Sequence, residues 1–156
     1  MVAATTLVGQ HLGAGQPEMA RRSGNAALVL AITFMASMGL LYVAVGGWVV
    51  AAFNPDPAVI QVGRQLFFFA AAFQMFDAMN MVCGGILRGA GDTRFPMVAA
   101  VGFSWLIFLP LIWLLGLHLD FGVQGAWAGA TCYIFGLGLT LLWRVRAGQW
   151  MKMRVV

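Results

Sequence analysis

Residues 67–87 read FFFAAAFQMFDAMNMVCGGIL, and this stretch decides the fold. It is flanked by Arg64 and Arg88, and between them Asp77 is the only charged residue. A helix of about 20 apolar residues crosses the hydrocarbon of a bilayer. Asp77 then lies near the midplane, where an ionised carboxylate costs at least about 2.5–3.5 kcal/mol. Such a carboxylate faces a bundle interior or a wet cavity, and an ion or a proton bound to it relieves the cost.

The rest of the chain has the same solvent. Of its 156 residues 62% are hydrophobic and only 9% charged, against about 25% charged in a soluble domain; mean hydropathy is +0.87. Four charge-poor segments follow one another. They predict spans at about 23–53, 65–87, 95–118 and 122–144 within a single membrane domain, 1–156. Backbone polar groups in lipid must bond within their own segment, so the spans are helices. The strand alternation of a membrane barrel is absent. The first segment is about 45 Å long as a helix over residues 23–54, so it tilts, kinks or protrudes, with Gly46-Gly47 as a plausible bend. Pro110 removes a donor from the third span and predicts a kink there.

Residues 1–8 are too short to span and read as the stub of a preceding helix ending near Gly9. That stub suggests a chain that continues upstream. No basic start or cleavable leader precedes the first span.

Charge bias orients the spans. Arg21, Arg22, Arg88, Arg94, Arg144, Arg146, Lys152 and Arg154 fall on one side if the spans alternate. Asp56, Asp120 and Arg64 fall on the other. The positive-inside rule puts both chain ends, including the tail 145–156, in the cytoplasm. The net charge of +4 forms no patch of the kind that binds nucleic acid. Cys83 and Cys132 lack CxxC spacing and read as core or lipid-facing residues. No paired carboxylate, Ser-His-Asp set, metal cluster or nucleotide loop is present, so no enzyme and no cofactor are expected. His118 reads as an outer-surface residue.

Gln74 and Asn80 lie three residues to either side of Asp77 and share its helix face. A carboxylate between two amides can coordinate a dehydrated Na⁺ through oxygens, or hold a proton. The bland alternative is a structural carboxyl bonded to neighbouring helices. Met75, Met79 and Met81 flank Asp77 and are candidates for an adaptable substrate pocket, although most such residues simply meet lipid or other helices. Trp48, Trp113, Trp127, Trp143 and Trp150 read as interfacial anchors. Gly9-xxx-Gly13 and Gly125-xxx-Gly129 suit close helix contact. In the turn after the second span, Gly89 and Gly91 allow a left-handed helix end, Asp92 or Thr93 can cap the next helix, and Arg88 and Arg94 anchor the turn at the headgroups.

Several stretches together resemble the multidrug and toxic compound extrusion (MATE) transporters, in their bacterial NorM-like branch. They are LVGQHLGAGQPEMARR at 7–22, FQMFDAMNMVCGGILRGAGDTRFP at 73–96, Trp105 with Pro110, GVQGAWAG at 122–129, and the closing RVRAGQW at 144–150. The resemblance implies a twelve-helix fold of two six-helix lobes, with this chain running from the end of helix eight through helix twelve. The N-terminal lobe, helix seven and most of helix eight then lie outside it. It implies export of cationic amphipathic compounds in exchange for H⁺ or Na⁺ across the bacterial inner membrane. It also implies that Asp77 matches the helix-ten carboxylate of a cation site whose partner glutamate lies in helix seven. Any metal at Asp77 is therefore Na⁺, and only with sodium coupling.

Three other functions stay open on the residues alone. One is a small transporter that completes its cavity with a second copy of itself. Another is a lipid or oligosaccharide flippase. The third is a non-transporting scaffold subunit. In every case the lipid bilayer is a partner.

Overall fold

The computed structural model describes residues 1–152. Among these residues it is all helical, in the order α1 (Val2–Gly13), α2 (Pro17–Phe53), α3 (Pro57–Gly89), α4 (Arg94–His118) and α5 (Gly122–Arg146). A short 3₁₀ turn, Gln149–Lys152, closes the chain. The four long helices are each long and apolar enough to cross a membrane. Arg154, counted above among the cytoplasmic cations, and the Lys152 side chain lie outside the described residues.

Helix ends follow local chemistry. Asp56 caps α3 by accepting a hydrogen bond from the Ala58 amide at 2.9 Å, and Pro57 starts the helix where its missing N–H is not needed. α1 and α3 end in the same way. The Gln16 amide bonds to the His11 carbonyl, and the Asp92 amide to the Leu87 carbonyl, both at 2.8 Å. Gly15 at φ +71° and Gly91 at φ +82° sit in the left-handed position that this termination requires.

α1 and α3 approach backbone to backbone. A Cβ on Gly89 would run into the Thr5 carbonyl, and one on Gly9 would lie 3.2 Å from the Gly89 oxygen. Gly13 meets nothing, so only half of the Gly9-xxx-Gly13 pattern is a contact. Gly125 and Gly129 both lie against α4, at Leu115 and at Leu111–Ile112. Helix α3 is central: α2 runs antiparallel along one side, with Gly24 on Ile86, Gly39 on Ala71 and Gly46 on Phe67. On another side α5 runs parallel, with Phe73 against Trp127 and Phe76 against Phe135.

Four sequence expectations change. The first helix continues through Gly13 rather than ending near Gly9. Gly46 and Gly47 do not interrupt α2, which is continuous; they are flat seats for Phe67 and Arg64 of α3. Neither Asp92 nor Thr93 caps α4. Thr93 occupies the N-cap position without a side-chain hydrogen bond, and Asp92 pairs with Arg144 instead. Trp150 is no exposed anchor: it is 1% exposed and its indole N–H donates to the Val145 carbonyl at 2.7 Å.

Pro110 acts on α4 by widening it. Two π segments, Ser104–Phe108 and Ile112–His118, flank the proline turn. Proline cannot donate to the ladder, and longer-reaching bonds on either side take up the mismatch. At the far end His118 stacks on Trp113, rings 5.4 Å apart.

Candidate functional site

Asp77 lies in the middle of α3, half-buried. The helix is held on two sides at this level. On α5, Gly138 has no side chain because a Cβ there would come 2.8 Å from the Met79 methyl and 3.3 Å from the Phe76 carbonyl. The edge-to-face pair Phe76–Phe135, centroids 4.7 Å apart, locks the same crossing. On α2, Gly39 does the equivalent at Ala71. The backbone carrying Asp77 is thus rigidly placed by contacts that do not involve its carboxylate.

Among the described residues the carboxylate itself has no partner of opposite charge. The ion pairs among the described residues are Arg21–Glu18 and Arg144–Asp92. Nor does Asp77 take part in the side-chain hydrogen bonds that these residues make. Gln74 and Asn80 are half-buried on the neighbouring turns. No cluster of three or more His, Cys, Asp or Glu occurs among the described residues. An ion at Asp77 would therefore draw on one carboxylate and on amide or carbonyl oxygens. That donor set suits a hard monovalent cation or a proton rather than a transition metal.

Below Asp77 a stripe runs down α3 at helical spacing: Met81, Gly84 and Arg88 lie four, seven and eleven residues on. These three, together with Asn80, line a cavity of about 390 Å³ between α3, α4 and α5. Thr93 and Tyr133 contribute further polar atoms. Arg88 folds back to donate to the Gly84 carbonyl at 3.0 Å. Asp77 continues the stripe one turn beyond the cavity, toward the middle of the span, and Asn80 connects the two.

The relatives of this chain are consistent in kind. The profile of the MatE family matches residues 1–114. A probable multidrug resistance protein NorM of Mesorhizobium japonicum is 40% identical over 156 residues, covering 96% of this chain and 32% of the relative. A probable NorM of Rhodopseudomonas palustris is 36% identical over 147 residues, 92% of this chain and 31% of its own length. Multidrug resistance protein PmpM of Pseudomonas aeruginosa is 34% identical over 148 residues, with 92% and 31% covered.

The chain belongs to the MatE family. It spans about a third of the length of the relatives it matches. Within this MatE chain the three methionines beside Asp77 separate. Met79 is buried at 7% exposure against Gly138 and belongs to the packing core. Met75 and Met81 are both exposed, and of the two Met81 lines the cavity. Cys83 is buried in the core and Cys132 is exposed, both unpaired thiols.

Sequence reading missed Tyr133 and Thr93 as cavity residues, and gave Arg88 only a headgroup role. The α3 stripe Asp77–Met81–Gly84–Arg88 was available from spacing alone. Tyr133 needed the register of α5 against α3, which no local pattern specifies.

Proposed function

We propose that this chain carries the coupling half of a secondary multidrug transporter. Asp77 binds H⁺ or Na⁺, and ion binding alternates with the passage of cationic amphipathic compounds. The observation that carries this reading is a half-buried carboxylate in mid-span with no cationic or hydrogen-bonding partner among the described residues. Its backbone is fixed by Gly39 and Gly138. A charge left without a counterpart in a membrane span is costly, so a site that keeps one has an exchangeable cation to receive. Gln74 and Asn80 supply neutral oxygens on either side, and Met81 offers an adaptable apolar wall below.

The names of the relatives, all multidrug resistance proteins, support this direction. The remaining part of the ion and drug path belongs, on this reading, to the rest of the transporter polypeptide. The cation bias of the helix ends at Arg21, Arg22, Arg88, Arg94, Arg144 and Arg146 supports an inner-membrane protein with both ends of this segment cytoplasmic.

The test is drug accumulation in a pump-deficient bacterium. This chain is expressed alone and as a chimera in which it replaces the matching third of the Mesorhizobium NorM, each with and without Asp77→Asn. The proposal expects ethidium export by the chimera and its loss in Asp77→Asn. Export that persists in the Asp77→Asn chimera rejects it. Asp77-dependent export by the chain alone would instead establish a cavity completed by copies of itself.

A further inference from the structure

A second cavity, of about 420 Å³, opens between α2 and α5 at the ends where Arg21 and Arg146 lie. It is separate from the Asp77 stripe: its α3 wall is Ile86, more than two turns from Asp77. Both helices present the same gradient into it. On α2, Arg21 and Asn25 stand at the helix end, with Leu28 one turn deeper in the span. On α5, Arg146 stands at the end, with Leu142 one turn deeper. Trp150, anchored to the Val145 carbonyl, forms part of the wall.

No carboxylate lines this cavity among the described residues. The acidic neighbour is Glu18, outside it, which pairs with Arg21 Nε at 3.3 Å on the exposed side. Among the described residues the Arg21 terminal nitrogens and the whole Arg146 guanidinium remain as donors. A guanidinium pair recognises a phosphate through bidentate hydrogen bonds. Basic recesses between membrane helices at the headgroup level take anionic lipid heads. A free phosphate would use the arginines and leave the leucines idle, whereas a phospholipid matches polar end and apolar end together.

We propose that this cavity is a binding site for an anionic phospholipid, with its phosphate between Arg21 and Arg146 and an acyl chain along Leu28 and Leu142. The lipid bridges α2 and α5 on the side of α3 away from Asp77's stripe. The proposal is independent of the ion reading above.

Native mass spectrometry of the full chain tests it, from micelles holding equal amounts of phosphatidylglycerol and phosphatidylcholine. The parental chain should retain phosphatidylglycerol preferentially. Removing both arginines, as Arg21→Gln with Arg146→Gln, should weaken that preference by about thirty-fold. The charge-keeping pair Arg21→Lys with Arg146→Lys should retain part of it, because an ammonium keeps the charge but not the bidentate fork, and a retained part also shows that an altered pair still folds. Arg94→Gln, a cytoplasmic-end arginine outside the cavity, should leave it unchanged. Equal retention of the two lipids by the parental chain overturns the proposal. So does a preference that survives in the glutamine pair, vanishes in the lysine pair, or falls equally with Arg94→Gln. Displacement of the bound lipid by inorganic phosphate would reassign the cavity to a free anion and overturn it as well.

Discussion

Arg144 and Asp92, 52 residues apart in sequence, form an ion pair at 3.0 Å that ties the α3–α4 turn to the end of α5. Asp92 is 6% exposed and the Arg144 side chain 17%. The guanidinium also lies 4.8 Å from the Phe95 ring centroid and reaches Gln149. One arginine therefore gathers the turn, the start of α4 and the closing 3₁₀ turn. Leaving one member of such a pair unpartnered costs on the order of 3 kcal/mol. Asp92→Asn should lower the thermal unfolding midpoint in detergent by several degrees. The charge-swapped double variant, Asp92→Arg with Arg144→Asp, should recover part of that loss. An unchanged midpoint in Asp92→Asn would show that the pair contributes nothing.

Asp77 should behave in the opposite way. It has no partner among the described residues to lose, so Asp77→Asn should destabilise the fold by less than about 1 kcal/mol, or stabilise it by removing a costly charge, while abolishing coupled transport. A structural carboxyl bonded to neighbouring helices would instead destabilise on substitution. Denaturation of the purified Asp77→Asn chain, compared with the parental one, distinguishes the two, and a large loss of stability favours the structural role.

The methionines should divide by burial. Met79→Ala opens a hole against Gly138 and Phe76, and truncating a buried methionine costs about 2–5 kcal/mol. Met81→Ala faces the cavity below Asp77 and should leave stability within about 0.5 kcal/mol, while shifting drug preference in the chimera. Unfolding curves alongside resistance profiles check both. Equal stability losses at the two positions would refute the assignment of Met81 to a cavity wall.

Glycines that look alike in sequence should also diverge. Gly89→Ala places a methyl on the Thr5 carbonyl and should cost about 1–3 kcal/mol through overpacking. Gly13→Ala meets empty space in a helical conformation and should be neutral or stabilising by up to about 1 kcal/mol. Melting temperatures of the two variants decide it, and a similar loss in both would contradict the backbone contact between α1 and α3.

Much of this was legible because a bilayer makes strong demands. Apolar length and charge placement foretold four long helices, since only helices and closed barrels satisfy a backbone in lipid and the alternation of a barrel is absent, although α2 and α3 begin before the predicted spans, at Pro17 and Pro57. Asp77 stood out for the same reason. The left-handed helix end at Gly91 was readable from glycine spacing. What was not readable depends on partners distant in sequence. Asp92 has the chemistry of a cap, yet it turns to Arg144 because α5 brings a guanidinium to the turn. Trp150 has the amphipathic ring of an interfacial anchor, yet a carbonyl of α5 lies within reach of its N–H and the ring is buried. Met79 and Met81 are two residues apart, yet Met79 is covered by α5 at Gly138 whereas Met81 is left exposed on the cavity. Gly46 and Gly47 could serve as a bend or as a seat, and the bulk of Phe67 and Arg64 on α3 makes them a seat.

The claim that Asp77 is the coupling site is tested most directly by ion-driven flux. Proteoliposomes carrying the chimera are given an inward gradient of H⁺ or of Na⁺, and ethidium movement is followed by fluorescence. The account predicts that at least one of the two gradients accelerates ethidium flux with Asp77 present, and that Asp77→Asn removes the acceleration. Gradient-driven flux at an undiminished rate in Asp77→Asn would contradict it.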